Sequence, residues 1–416
     1  MISLFDLRDN PNDNIYQAIQ KLYSEPLRIT HLPKGSVSAC IGCWSCWLKT
    51  PGNCVFKDAM SAAYPEYINS DTVILLFDTA QGFIDHHAKA FLDRTIPHYH
   101  PYIEMIEGEC HHMARYDTYP EMVFFYETEG LTAQEEQLIE DYLWRTAYHY
   151  KGQACRITPA LDHDLADADK NETHGISGVK IKKLESRKAG NRQLPFSAVK
   201  PMETLIIYNG SPRITGSNSG IILEQVAAVL GDLVEVRDLK DKSRWSEWAD
   251  SFAKDQHVLF FMPLYVHAMP SHVMNFFEKL TVSEGTVSFF VQSGFPESGQ
   301  SHYLEACFEQ LSLRLGRTYL GTAIKGGMEG LQMRPPAGQE KMILPLVQTV
   351  ENLVKEGSFN KDDIARLAQP VRYGKVMEIM YNFFIKNIIN KMIWDSQLKA
   401  NRAYEKRNDR PHARKE

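Results

Sequence analysis

The sequence predicts an α/β protein with two doubly wound parallel sheets in tandem, followed by a C-terminal helical extension. Three observations carry this. Short runs of β-branched and aromatic residues alternate with stretches of helical periodicity, the pattern of parallel strands covered by helices on both faces. The alternation begins twice, once at residue 1 and again at residue 204, so the repeat is one of fold rather than of sequence. The length, 416 residues, exceeds one ordinary domain and suggests two or three.

Composition sets the outer bounds. With 44% hydrophobic and 24% charged residues the chain is ordinary globular material. It opens without a basic start and apolar core, and no uninterrupted apolar run reaches about 18 residues. No membrane span is therefore expected, and a cytoplasmic location is the default. A formal charge of −6 supplies no basic face, and nucleic acid is not an expected partner. Seven cysteines without a secretory leader argue against a disulfide framework. Cys110, Cys155 and Cys307 read as small buried hydrophobes.

In the first domain, 1–160, strands are expected at 1–7, 27–32, 72–77, 122–126 and 155–157, with helices at 15–23, 58–68 and 133–149. Five strands with intervening helices fit a flavodoxin-like order. His86-His87, His98 and His100, and His111-His112 lack an acidic partner at helical spacing and read as surface or capping residues. Between the second strand and the next helix lies Cys40-x2-Cys43-x2-Cys46-x7-Cys54. Cysteines one short turn apart, twice over, with a fourth in loop reach, can wrap one tetrahedral or cubane centre. A [4Fe-4S] cluster, a zinc ion and free or redox-active thiols all stay open on this spacing. Trp44 and Trp47 would shield such a centre from water or pack the domain.

Residues 161–200 pass from an acidic to a basic stretch and read as a linker. Asp162, Asp164, Asp167 and Asp169 lack the glycine and final glutamate of a calcium loop. The second domain, 201–370, places strands at 205–208, 234–236, 258–262, 287–292 and 320–324, and helices at 303–315, 339–356 and 361–368. Its first strand ends in Asn209-Gly210-Ser211-Pro212-Arg213, and Gly216-Ser217-Asn218-Ser219 opens a helix. Strand, hydroxyl- and glycine-rich loop, helix is an anion cradle, because unpaired N–H groups and the positive end of the helix dipole converge there. Ser211, Arg213, Ser217, Asn218 and Ser219 are the candidate ligands of a phosphate, with Arg213 adding a charge-assisted fork.

Together with Pro263-Leu264-Tyr265, Pro270 and Phe276-Phe277-Glu278-Lys279, these residues resemble the NADPH-dependent FMN reductase branch of the flavodoxin-like superfamily. The resemblance covers the second half well and the first more loosely. It implies that the anion is the phosphate of FMN, that Pro263, Leu264, Tyr265 and Val266 lie along the flavin, and that NAD(P)H is the reductant. Ser293, Gly294 and Phe295 follow the fourth strand, where backbone donors would stabilise charge pushed onto the ring. Lys325-Gly326-Gly327-Met328-Glu329-Gly330 would wall the pocket. The cysteine spacing resembles the compact motif of iron-sulfur flavoproteins, relatives that ligate a [4Fe-4S] cluster.

The loop from Arg8 to Asn14 in the first half has no counterpart of Gly210-Ser211-Pro212-Arg213 and carries Asp9 and Asp13. Acidic side chains repel phosphate, so the first domain is expected to hold flavin weakly or not at all. The function implied is an FMN-dependent NAD(P)H oxidoreductase working by ping-pong transfer, delivering electrons through the flavin to a small acceptor such as a quinone or a free flavin. The cofactor carries the chemistry, and no catalytic acid or base is assigned. The rival reading is a non-catalytic flavoprotein electron carrier or a thiol redox sensor. Residues 371–416 form the helical extension and a basic tail expected to be solvated. Its run 376–394 is too polar for a span and would pack on a domain or a second subunit; a homodimer is expected.

Overall fold

The structure, a computed structural model, describes residues 1–159, 174–175, 201–301 and 303–414. Strand β1 (Ile2–Asp6), helix α1 (Asp13–Gln20), β2 (Leu27–His31), α2 (Ser45–Leu48), α3 (Met60–Ile68) and β3 (Thr72–Phe77) open the first sheet. Two hairpins follow: β4 (Thr79–Ala80) with β5 (Phe83–Ile84) and, beyond α4 (His86–Arg94), β6 (Tyr99–Ile106) with β7 (Glu109–Ala114). Then come β8 (Glu121–Tyr126), α5 (Ala133–His149), β9 (Ala154–Pro159) and β10 (His174–Gly175). The order is β10-β9-β8-β3-β1-β2, parallel except for β10.

The second sheet is built from β11 (Leu205–Asn209), α6 (Asn218–Leu230), β12 (Val234–Asp238), α7 (Trp245–Phe252), β13 (His257–Pro263), α8 (Ser271–Phe277), β14 (Thr286–Gln292), α9 (Tyr303–Arg314), β15 (Thr318–Lys325), α10 (Pro336–Glu356) and α11 (Lys361–Leu367). Its order, β12-β11-β13-β14-β15, is wholly parallel. Both sheets thus carry the doubly wound order in which the first strand lies between the second and third.

Burial explains the strands. All six residues of β3 and all five of β11 are buried, as expected of central strands covered on both faces, whereas the edge strands β2 and β12 are mostly polar and only partly buried. In the second sheet Leu205, Ile207, Leu259, Phe261 and Phe290 pack with Ile222, Leu223 and Val226 of α6 and Leu346, Val350 and Leu353 of α10.

The chain closes with α12 (Lys375–Phe384), a continuation with wider turns over Ile385–Asp395, and α13 (Ser396–Ala400). It divides into two compact units: Met1–Glu107 with His111–Arg187 and Lys375–Glu416, and Gly108–Cys110 with Lys188–Gly374. The C-terminal helices therefore group with the first sheet. The proposed linker, 161–200, and its aspartates lie outside the described residues apart from β10.

Three expectations need correction. The hairpins β4–β5 and β6–β7 were not anticipated. Each turns on an X-Gly pair in the left-handed region, Gln81-Gly82 (φ 52 and 76) and Glu107-Gly108 (φ 51 and 79), which is the two-residue hairpin chemistry. Four of these six histidines are not surface residues. His87, His98, His100 and His111 are buried, with His87 Nε2 on the Leu32 carbonyl and His98 Nε2 on that of Tyr64. Burial pushes His98 and His100 down to about 3, so both are neutral. The basic tail is mostly exposed, as expected, but it is also anchored. Arg115 donates to the carbonyls of Arg407 and Asp409 (3.0 Å each), Arg410 pairs with Asp117, and the His412 ring stacks on Tyr64.

Candidate functional site

The anion cradle starts where β11 ends. The Asn209 side chain accepts from the Ser211 N–H (3.1 Å) and donates to Asp238 (2.5 Å), which turns the chain out of the sheet. A Cβ on Gly210 would stand 2.8 Å from Met262 Cβ and 2.9 Å from Val273 Cγ2, so the loop can leave between β13 and α8 only as glycine. Gly216 (φ 62) bends the loop back, and the Ser217 hydroxyl caps α6 by accepting from the Gly220 N–H (2.8 Å). The thirteen residues of α6 then aim a positive N-terminus at the loop.

Two predicted phosphate ligands are engaged in holding this loop. Ser217 caps the helix, and Asn218 donates to the Met328 carbonyl (2.7 Å). Gln332 donates to the Gly216 carbonyl (2.6 Å) and to Asn218 Oδ1 (2.7 Å). Ser211 and Ser219 are buried, Ser219 accepting from Gln292 at 3.5 Å, and Arg213 is half-buried. Sequence reasoning missed Gln332, because it reaches the loop from a turn more than a hundred residues downstream and no spacing rule connects them.

The other predicted segments leave β13 and β14, the next two strands of the same sheet, at the same carboxyl edge. The Leu264 N–H donates to the Gln292 carbonyl (2.8 Å), and Tyr265 and Ala268 exchange two backbone hydrogen bonds of 2.9 Å. Between them Val266 (φ 40) and His267 (φ 59) are both left-handed. Such a turn favours Asn-Gly, and a β-branched residue there is strained by about 1–3 kcal/mol. The Tyr303 hydroxyl donates to the His267 carbonyl and braces the turn.

On β14, Ser293 gives its N–H to the Lys325 carbonyl (2.9 Å) and its hydroxyl to the Phe295 carbonyl (3.1 Å), so neither is a spare donor. Gly326 passes so close to this loop that a Cβ would meet the Pro296 carbonyl at 2.3 Å, and a Cβ on Gly294 would meet Glu329 Oε2 at 2.5 Å. The 325–330 segment thus lies against the β14 loop. Burial pushes the Glu329 carboxyl up to about 7, with Arg213 pulling the other way. A carboxyl poised near neutrality beside the cradle arginine was not foreseen.

At the corresponding edge of the first sheet the geometry is closed. Asp6 ends β1 fully buried. It accepts from the Arg8 N–H (3.0 Å), from Arg8 Nε and Nη2 (2.9 Å each) and from the Tyr16 hydroxyl (2.6 Å). Lys34 lies within 4.0 Å of Asp9, Asp78 and Asp85. The arginine is consumed by an internal carboxylate, and what surrounds it is acidic.

The four-cysteine loop is held by the same unit. Trp44 (φ 56) and Gly42 (φ 60) bend it, and Trp47 Nε1 donates to the Tyr99 carbonyl (3.1 Å). Cys46 is buried, Cys40 and Cys54 are half-buried and Cys43 is exposed. Cys46, Trp47 and Leu48 pack with Trp394, Leu398 and Ala403 from the C-terminal segment. Gly52 is required because a Cβ would stand 2.6 Å from Pro411. Burial pushes Cys40 up to about 12 and Cys46 well above the ordinary thiol value. Arg94 acts against this on Cys40 and Arg115 on Cys46, and both guanidiniums are buried. Among the described residues no three of these sulfurs come within 4.8 Å of one another. Cys110, Cys155 and Cys307 are buried, as expected.

No family model matches the chain, and no curated protein matches it. Solved structures resemble parts of it. An NADPH-quinone reductase from P. pentosaceus is 15% identical, covering 35% of this chain and 96% of its own, with a TM-score of 0.29. An FMN-dependent NADH-azoreductase from Bacillus anthracis, in complex with FMN, is 15% identical over 36% and 98%, with a TM-score of 0.28. An NAD(P)H:quinone oxidoreductase from Methanothermobacter marburgensis is 15% identical over 37% and 97%, with a TM-score of 0.28.

Proposed function

We propose that the second unit binds FMN and works as an NAD(P)H-dependent flavin oxidoreductase that delivers electrons to a small acceptor of quinone or flavin type. The observation that carries this is the cradle: a capped helix N-terminus, a glycine that no other residue can replace and Arg213 meet at the carboxyl edge of a doubly wound sheet. Arg213 and Ser211 bind the phosphate there, while Ser217, Asn218 and Gln332 keep the loop in shape. The strained Tyr265–Ala268 turn and the Ser293–Phe295 loop line the ring, which supplies the hydride chemistry when bound. The test is the visible spectrum of protein purified without oxygen, before and after NADPH. Flavin bands that bleach are expected; a bound flavin that NADPH cannot reduce would leave only an electron carrier.

Cys40, Cys43, Cys46 and Cys54 hold a [4Fe-4S] cluster in this reading. A zinc ion on the same four sulfurs is the alternative, which the iron count below separates. The buried Arg94 and Arg115 offset thiolate charge. Iron and acid-labile sulfide, counted on wild type and on Cys46→Ser, check it. About four irons per chain, lost in the variant while flavin stays, is the expected result.

A further inference from the structure

The C-terminal helix carries apolar residues on both sides. Its inner side is mixed: Ile385 and Trp394 are buried, Asn382 exchanges two hydrogen bonds with the backbone of Met105 (2.8 Å each), Asn390 does the same with Ile103 (2.9 Å each), and Glu378 accepts from the Glu107 N–H (3.1 Å). Amides covering a strand edge therefore help to hold the helix to its own unit. Most of its other apolar residues are turned to solvent. Val376 and Ile379 are each 72% exposed, Met392 69% and Phe383 64%, with Met377, Met380, Phe384 and Ile388 also exposed. Scattered exposed apolar residues are ordinary, but a continuous patch of this size marks an interface.

Five of these residues form a ladder at a spacing of four, Val376, Met380, Phe384, Ile388 and Met392, symmetric about Phe384. In α12 a step of four overshoots the turn of 3.6 residues; in the wider turns of Ile385–Asp395 it falls short, so the drifts oppose each other and keep the ladder on one side.

We propose that a second copy of this chain covers this face, the two helices crossing on a twofold axis at Phe384. Val376 of one copy then meets Met392 of the other, and Met380 meets Ile388. A twofold interface requires such self-complementarity, and rows spaced by four are those that interdigitate in the commonest helix crossing. The eight side chains present on the order of 800 Å², what one partner contributes to a standard interface. An anionic membrane fits less well, since Lys386 lies 3.6 Å from Glu104 and the chain carries −6. The proposal is independent of the flavin reading.

Sedimentation equilibrium of the full chain over a concentration series tests it, with Phe384→Glu beside wild type. Wild type should be a dimer and the variant a monomer, its dissociation constant raised by roughly 100-fold or more with an unchanged circular dichroism spectrum, because the position is exposed. Phe384→Cys should give a disulfide-linked dimer under mild oxidation well above the wild-type background, and Val376→Cys should not, because only residue 384 meets itself. A monomeric wild type, a Phe384→Glu variant that stays dimeric, or no cross-link above background from Phe384→Cys would each overturn the proposal. So would a monomer that sediments with phosphatidylserine vesicles through Phe384, which would assign the face to lipid.

Discussion

The first strand of each sheet is five residues long and ends at the same kind of edge, one at Asp6 and the other at Asn209. The amide of Asn209 turns the chain. The carboxylate of Asp6 is buried and needs a cation, so it takes Arg8 in a bidentate pair. Two copies of one fold differ in what their first strand ends on, a carboxylate that holds an arginine in one and an amide that turns the loop in the other. The fold alone therefore does not say which sheet carries the site.

The largest expected effect lies in the closed copy. Arg8→Ala strands a buried carboxylate and should cost about 3–5 kcal/mol in a urea titration. A cost under about 1 kcal/mol would mean that Arg8 does not hold Asp6. Trp394→Ala should cost about 3 kcal/mol and expose the cysteine loop, a cover that the second sheet lacks, measured by denaturation and by the rate at which a thiol reagent labels Cys46. Arg213→Ala, and Asn209→Asp, which puts charge where Asp6 has it, should each weaken FMN by about 10- to 100-fold in a fluorescence titration.

The smallest effect is on pH dependence. The Glu329 carboxyl titrates near 7 in the fold against 4.5 when free, so the stability its neutral form contributes is full below about 4.5 and is lost as pH rises through about 7. Above that point its charge competes for Arg213. FMN affinity should fall a few-fold between pH 6 and 8, and Glu329→Gln should flatten that fall. An unchanged slope in the variant would remove Glu329 from the site.

Much of this was legible in the sequence. The β-branched runs located all five strands of both parallel sets, and the Asn209–Arg213 loop and the helix start after it fell where expected, because both depend on local pattern. What escaped depends on distance along the chain. Gln332 supports Gly216, Trp394 covers Cys46 and Arg8 turns onto Asp6, and only the folded chain brings the first two pairs together. The acidic loop after β1 suggested a poor phosphate site, but the residue that takes Arg8 is Asp6, the last of the strand itself. The histidines were misplaced because polarity stood in for burial, although ring nitrogens can be satisfied by backbone carbonyls inside a core.

The central claim is one flavin per chain, held by the second sheet alone. Titrating FMN into the flavin-free full chain, with Arg213→Ala and Arg8→Ala in parallel, tests it most directly. We expect one equivalent bound by wild type and by folded Arg8→Ala, and binding weakened by about 10- to 100-fold in Arg213→Ala. Two equivalents, or one that Arg213→Ala leaves untouched, would contradict the account.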